Sequence, residues 1–461
     1  MLRYLNKLKW CEYMNIDMTN EKTAKNIVYF SIPLLFGSIL QNLYNIVDTV
    51  IVGRFIGKEE LSIVGNLFAP MLLVNSTIMG SASGITILIS YYVGEKNLSE
   101  IEKMYSAILK LAVGMSCILT LFGLLMPRYI LECMKIPNAM LDGGCNYFRI
   151  ITLGFPFVII YNYLAALFKG YGNSRSPLYF LILSCCVNIF LDILFVTVWH
   201  QGIRGVAFAT VLSQIISAIC MVFYLIHKEK SLLKKIQWNS HDLKRISNIL
   251  KYGITSTVQN SFSAVSMMYI QSVINGFGIN VISAFSVAYK IETILTVPAV
   301  CLGSSLGVYV GQNKGRRYTK KIEEGLYVAV FLSLILFLFV NLIVWLWGKN
   351  ILQLVVGNEK EVIYYGELYL KIISSFYFFL TMLYLLTNFL RSAGEVIYPV
   401  FNTILELTSR VLLVYILARY AGIIGVFMGR PISFLISMTS LLVRYKCGNW
   451  KRKIFAEGQN E

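Results

Sequence analysis

Apolar residues run along this chain in stretches of twenty or more, broken by short polar connections rich in Lys and Arg. A bilayer core about 30 Å thick takes about 20 helical residues to cross, so stretches of this length predict membrane spans. Twelve are expected, at about 26–54, 60–93, 104–126, 139–168, 177–199, 204–227, 246–275, 280–310, 322–347, 361–390, 396–419 and 422–443. The pattern predicts an all-α membrane protein with twelve transmembrane helices.

Polar residues inside those spans are few and grouped. In span 1, Gln41, Tyr44, Asn45 and Asp48 fall at i, i+3, i+4 and i+7, a single stripe on an otherwise apolar helix. In span 5, Asn188 and Asp192 are four apart and share a face. A carboxylate in mid-membrane costs about 2.5–3.5 kcal/mol on insertion scales and usually marks a functional site. Two polar faces with two acids predict a buried cation site built from hard oxygen ligands, suited to Na⁺ or to a proton. Two plainer readings stay open: Asp48 as a structural hydrogen-bond partner, and Asn188/Asp192 as an interhelical polar clamp.

The chain also repeats itself. Tyr92-Val93-Gly94 recurs as Tyr309-Val310-Gly311, Ile56-Gly57 as Phe277-Gly278, Gly172 and Pro177 as Gly394 and Pro399, and Gly202-x-x-Gly205-Val as Gly422-x-x-Gly425-Val. One duplicated six-span unit accounts for all four. An even number of spans gives both copies one orientation, so two six-helix lobes related by a pseudo-twofold along the membrane normal are expected. The expected organisation is an N-terminal cytoplasmic segment 1–25, an N-lobe 26–227, a cytoplasmic linker 228–245, a C-lobe 246–445 and a C-terminal cytoplasmic tail 446–461. Two parallel lobes suit a transporter that rocks one against the other, rather than a receptor, a channel or an inert duplicated scaffold.

Charge adds the orientation. The net charge is +17, yet Lys and Arg crowd into alternate connections, 26 in one set (both termini included) against 8 in the other. That asymmetry predicts both termini in the cytoplasm, with lipid rather than nucleic acid as the partner of the excess charge. Only 14% of residues are charged, against about 25% in soluble domains. The first residues are polar and mixed, without the apolar core of a signal peptide. Nine cysteines lack CxxC spacing, and the three histidines form no zinc set. No GxxxxGK[ST] motif occurs, which weighs against ATP as the energy source.

Several of these pieces together resemble the multidrug and toxic compound extrusion (MATE) transporters: Gln41-x-x-Tyr44-Asn45-x-x-Asp48-x-x-x-Val52-Gly53, the Gly172-Asn-Ser-Arg-Ser-Pro177 turn, Asn188-x3-Asp192 and Gly205-Val-Ala-Phe-Ala-Thr210-x3-Gln214. Through the repeat, the likeness extends over about 26–445. It implies export of amphipathic, often cationic drugs or toxic metabolites against inward Na⁺ or H⁺, by a non-enzymatic, cofactor-free monomer in the cytoplasmic membrane. It places the coupling cation at Asp48, Asn188, Asp192 and Thr210, and Gln41 and Tyr44 at positions that line the drug chamber in some relatives; Asn45, on the same stripe, is expected in the chamber with them.

The C-lobe departs from some members of that family. Spans 7 and 10 hold no carboxylate between Tyr252 and Ala264 or between Ile373 and Leu383. Glu406 and Arg410, four apart, are expected to neutralise each other. Glu292 and Lys290, two apart, do not face each other on a helix. Glu292 therefore needs another partner, and it is the C-lobe acid most open to a functional role. The alternative of a lipid-linked saccharide flippase of the same overall fold would require basic residues facing the chamber. Lys110, Arg149, Lys251, Lys290, Lys371, Arg410 and Arg430 are the candidates.

Overall fold

The computed structural model describes residues 16–56, 58–133, 138–228, 242–448 and 450–451, and every regular element among them is helical. They are α1 Thr23–Ile51, extended by a π-helical turn Val52–Ile56, then α2 Lys58–Glu95, α3 Leu98–Leu125 and a short α4 Pro127–Cys133. Next come α5 Asn138–Leu153, α6 Phe155–Gly170, α7 Arg175–Ile193 with a π-helical turn Leu194–Val198, and α8 Gly202–Lys228. The second half holds α9 Asp242–Ile274, α10 Ile279–Gly315, α11 Thr319–Val356, α12 Lys360–Ser375, α13 Tyr377–Ser392 and α14 Ile397–Cys447.

These helices make the twelve expected spans. Eight of the described helices are long and apolar enough to cross a membrane, and two bent pairs, α5–α6 at 43° and α12–α13 at 49°, make ten. The eleventh comes from α14, which Gly422 divides with φ 56° and ψ −135°. The twelfth is α9, whose run of Thr255, Ser256, Thr257, Gln259, Asn260, Ser261 and Ser263 lowers its apolarity.

The backbone repeats as the sequence does. Positive φ recurs at Lys96 and Arg317 (both 60°), at Gly172 and Gly394 (83° and 104°), and at Gly202 and Gly422 (57° and 56°). The breaks inside the bent spans, at Gly154 and Phe376, also correspond. Three of these landmarks close the same turns in each copy, so the chain was built from one plan used twice.

By contacts the chain divides into two compact units, one of Phe36–Thr257 and one of Ile16–Leu35 with the chain from Val258 onward. This division departs from the expected lobes 26–227 and 246–445, because the ends of two helices are held by long-range polar contacts. Met18 N donates to Gln312 Oε1 (3.1 Å), Asn313 Nδ2 donates to Met18 O (2.9 Å), and the Thr23 and Tyr309 hydroxyls bond at 3.1 Å. These hold the start of α1 to α10. At the start of α9, Asp242 accepts from Lys110 Nζ (2.6 Å) and Ser106 Oγ (2.9 Å) on α3. Arg245 grips Glu100 at 3.0 Å. Residues 242–245, expected as linker, are thus the first turn of a helix. Segments 1–15, 229–241 and 452–461 lie outside the described residues.

Burial separates inner helices from lipid-facing ones. The most apolar stretches of α2 and α10 are each 61% buried, those of α3 and α11 only 22%. On α3 the outward residues Val113, Ile118, Leu121 and Leu125 are exposed and apolar, as a bilayer-facing surface requires. In the first unit α2 meets α9 so closely that a Cβ on Gly253 would lie 2.5 Å from Gly80 O.

Candidate cation site

The first unit brings Asp48 and Asp192 together. Asp48 is near the C-terminal end of α1 and Asp192 near that of α7, and their carboxyl groups lie close enough to interact directly. Each acid is followed within four residues by a π-helical turn, Val52–Ile56 and Leu194–Val198. Such turns widen a helix locally and recur at functional sites. Ile51, Val52, Val196 and Val206 pack into a buried apolar cluster beside the acids, which keeps the surroundings of the pair dry.

Asn188, one turn before Asp192, completes the pair. With its amide nitrogen toward Asp192 it donates to Oδ2 at 2.8 Å, and its oxygen accepts from Thr210 N at 3.2 Å. That orientation satisfies both ends of the amide. The Thr210 hydroxyl donates to Val206 O at 3.0 Å and is also bonded to Tyr44. Asp192 is fully buried and Asn188 is 1% exposed. One oxygen of each acid, Asp48 Oδ1 and Asp192 Oδ1, is buried without a hydrogen-bond partner.

Unpartnered buried carboxylate oxygens are costly unless something fills the gap. Two neighbouring carboxyls must also share positive charge, as a proton or a small cation, because bare like charges repel. The donors around them are carboxylate, amide and hydroxyl oxygens, a hard set that fits Na⁺ as well as a proton. Asp48, Asn188, Asp192 and Thr210, named from sequence, are therefore in one place.

The polar stripe on α1 splits in two. Tyr44 lies with Asp48 against the acid pair, whereas Gln41 and Asn45 are exposed. Tyr44, expected at the substrate surface, thus stands beside the acids. Sequence reasoning missed Tyr147 on α5, 8% exposed and close enough to feel the charge of both acids. Nothing in its local pattern distinguishes it from the other 28 tyrosines.

In the second unit, Glu292 on α10 is 2% exposed and held. Arg430 Nη1 on α14 reaches its Oε2 at 2.7 Å, and Tyr369 OH on α12 donates to the same oxygen at 2.6 Å. Glu406 and Arg410 pair along α14 as expected.

A duplicated helical membrane protein with a buried acid pair in one unit has the architecture of a secondary transporter. The MatE family model matches residues 33–194 and 253–416, two segments starting 220 residues apart (253 − 33). The chain belongs to the MatE family, and is a transporter rather than an enzyme. It is 28% identical to the probable multidrug resistance protein YpnP of Bacillus subtilis, over 96% of this chain and 99% of that protein. It is 22% identical to the probable multidrug resistance protein NorM of Thermotoga maritima, over 93% of each. Among solved structures, it superposes on an outward-facing multidrug resistance MATE transporter of the MOP superfamily with a TM-score of 0.86, at 22% identity, over 96% of this chain and 98% of that one. A MOP superfamily transporter from Pyrococcus furiosus gives 0.85 at 22% identity, over 94% and 98%. These structural likenesses show the fold.

Proposed function

We propose that the protein is a cation-coupled multidrug exporter of the bacterial cytoplasmic membrane. It exchanges amphipathic, often cationic compounds for inward Na⁺ or H⁺. One observation carries the reading: two carboxyl groups, Asp192 fully buried and Asp48 partly, meet in the first unit, each with a buried oxygen left unpartnered. The names of the relatives support drug export. The cation binds at Asp48, Asn188, Asp192 and Thr210, and Gln41 and Asn45 face the substrate path. A cation entering from outside pulls the acids together, shifts α1 and α7, and weakens the hold on drug. Only a difference in affinity between the two states can drive such a shift. The membrane potential contributes about 2.3 kcal/mol per charge per 100 mV. The basic connections support both termini in the cytoplasm. The chain works as a monomer, since each unit carries its own core and the cation site is complete within one of them.

A saccharide-lipid flippase is not favoured, because its required free cations are largely neutralised. Lys110 pairs with Asp242, Lys371 with Glu367, Arg410 with Glu406 and Arg430 with Glu292.

The test is ethidium transport by purified protein in liposomes under imposed Na⁺ or pH gradients. Gradient-driven flux that is lost in Asp48→Asn and in Asp192→Asn is expected. Undiminished flux in both variants, with normal protein recovery, would refute the coupling role.

A further inference from the structure

The repeat gives each residue of the first-unit site a counterpart in the second unit. Gly202 and Gly422, alike in φ, lie 220 apart (422 − 202). That register places Arg430 where the first unit has Thr210. Gly172 and Gly394 lie 222 apart (394 − 172), as do the helix breaks at Gly154 and Phe376. It places Arg410 at the position of Asn188, Val414 at that of Asp192, and Tyr369 at that of Tyr147. Asp48 falls opposite Tyr269 or Ile270. Both acids are gone from the second copy, and both neutral cation ligands have become arginines.

Each of these arginines faces a carboxylate, Arg410 buried and Arg430 partly buried. Arg410, 6% exposed, pairs with Glu406 and approaches Ser433 Oγ at 3.5 Å. Arg430 pairs with Glu292 and lies over the rings of Tyr289 and Phe434, at 5.6 and 5.7 Å. Tyr369 holds the same Glu292 oxygen as Arg430 (2.6 Å). Tyr384 is also close enough to feel both pairs. The second Glu292 oxygen, Oε1, is buried without a partner. Glu292 borders a small cavity shared with Thr296, Ser374 and Tyr377.

We propose that Arg430 and Arg410 are resident cations. They fill, in the second unit, the positions that correspond to the first unit's cation ligands, and leave that unit with no exchangeable cation. The inference rests on the cation-coupling reading of the first unit. A guanidinium keeps its charge at any working pH and cannot dissociate. Each pair is neutral overall, so a second mobile cation entering beside Glu292 would gain nothing and meet a fixed positive charge. Coupling is thereby confined to one unit, and Glu292 is a latent cation site whose counter-ion is built in.

Infrared difference spectroscopy of the purified protein in lipid, between acid and alkaline buffer with and without Na⁺, reads buried carboxyl groups that gain or lose a proton. The wild-type carboxyl band is expected to disappear in Asp192→Asn and to persist unchanged in Glu292→Gln. Arg430→Thr, which restores the first unit's residue, is expected to add one carboxyl to the band, and the added signal should vanish in the Glu292→Gln/Arg430→Thr double variant. A wild-type band altered by Glu292→Gln would overturn the proposal, as would a folded Arg430→Thr protein with no added signal. If Arg430→Thr does not fold, the Glu292→Gln comparison alone decides. A wild-type band indifferent to Asp192→Asn refutes the first-unit reading instead, so the two failures are distinguishable.

Discussion

Asn188 holds Asp192 by Oδ2, at 2.8 Å, while Oδ1 stays buried without a hydrogen-bond partner. The amide therefore aims the acid as well as neighbouring it. A hydrogen bond to a charged group is worth about 1.5–3 kcal/mol. Replacing Asn188 by Ala is expected to weaken the apparent affinity for the coupling cation roughly tenfold or more, at about 1.4 kcal/mol per decade. The maximal rate should fall less. Ethidium efflux measured against cation concentration separates the two.

Tyr147 on α5 is buried within electrostatic reach of both acids. Its phenol is expected to support the pair without carrying charge. Tyr147→Phe should keep gradient-driven transport and shift the cation dependence by about 1 kcal/mol or less, the worth of a neutral hydrogen bond. Loss of transport as complete as in Asp192→Asn would give Tyr147 a more direct part.

Asp242 accepts from Lys110 and Ser106 and lies near Arg245, with only 3% of its side chain exposed. Removing one partner of a buried ion pair leaves its cation uncompensated, at a cost of about 3–5 kcal/mol when fully buried. Lys110 and Arg245 keep some water contact, 18% and 15%, so Asp242→Ala is expected to cost about 2–3 kcal/mol. Thermal unfolding in detergent measures it. The Asp242→Ala/Lys110→Ala double variant should recover part of the loss.

Gly253 has no room for a side chain, since an added Cβ would sit 2.5 Å from Gly80 O and 3.1 Å from Ser81 Cα. Gly253→Ala must push α2 and α9 apart, at about 1–3 kcal/mol. Gly276, with open space around its Cβ position, provides the control: Gly276→Ala should leave the melting temperature nearly unchanged.

The elements that could be read from sequence were those carried by local periodicity. The twelve spans, the Asp48 stripe and the Asn188/Asp192 pair follow from spacing on single helices, the duplication follows from motifs that recur along the chain, and the joining of Asp48 to the pair is what the resemblance implies. Glu406–Arg410 is likewise a one-turn pair. The Glu292 partner is different: Arg430 lies 138 positions away (430 − 292), and no periodicity reaches that far. Met18 meets Gln312 across 294 positions, which is why the unit boundary fell inside α1. Tyr147 carries no polar neighbour at helical spacing, so its place beside the acids appears only once α5 packs against α8.

Lys96 and Arg317 both take φ 60° at the turn that closes the inner hairpin of each copy. A side chain in that left-handed region costs about 1–2 kcal/mol, and glycine would relieve it. Both copies nevertheless place a cation there. The same two turns belong to the basic connections on which the proposed orientation rests. A chain carrying glycine at both would gain stability once folded and lose two of the cations that support that orientation.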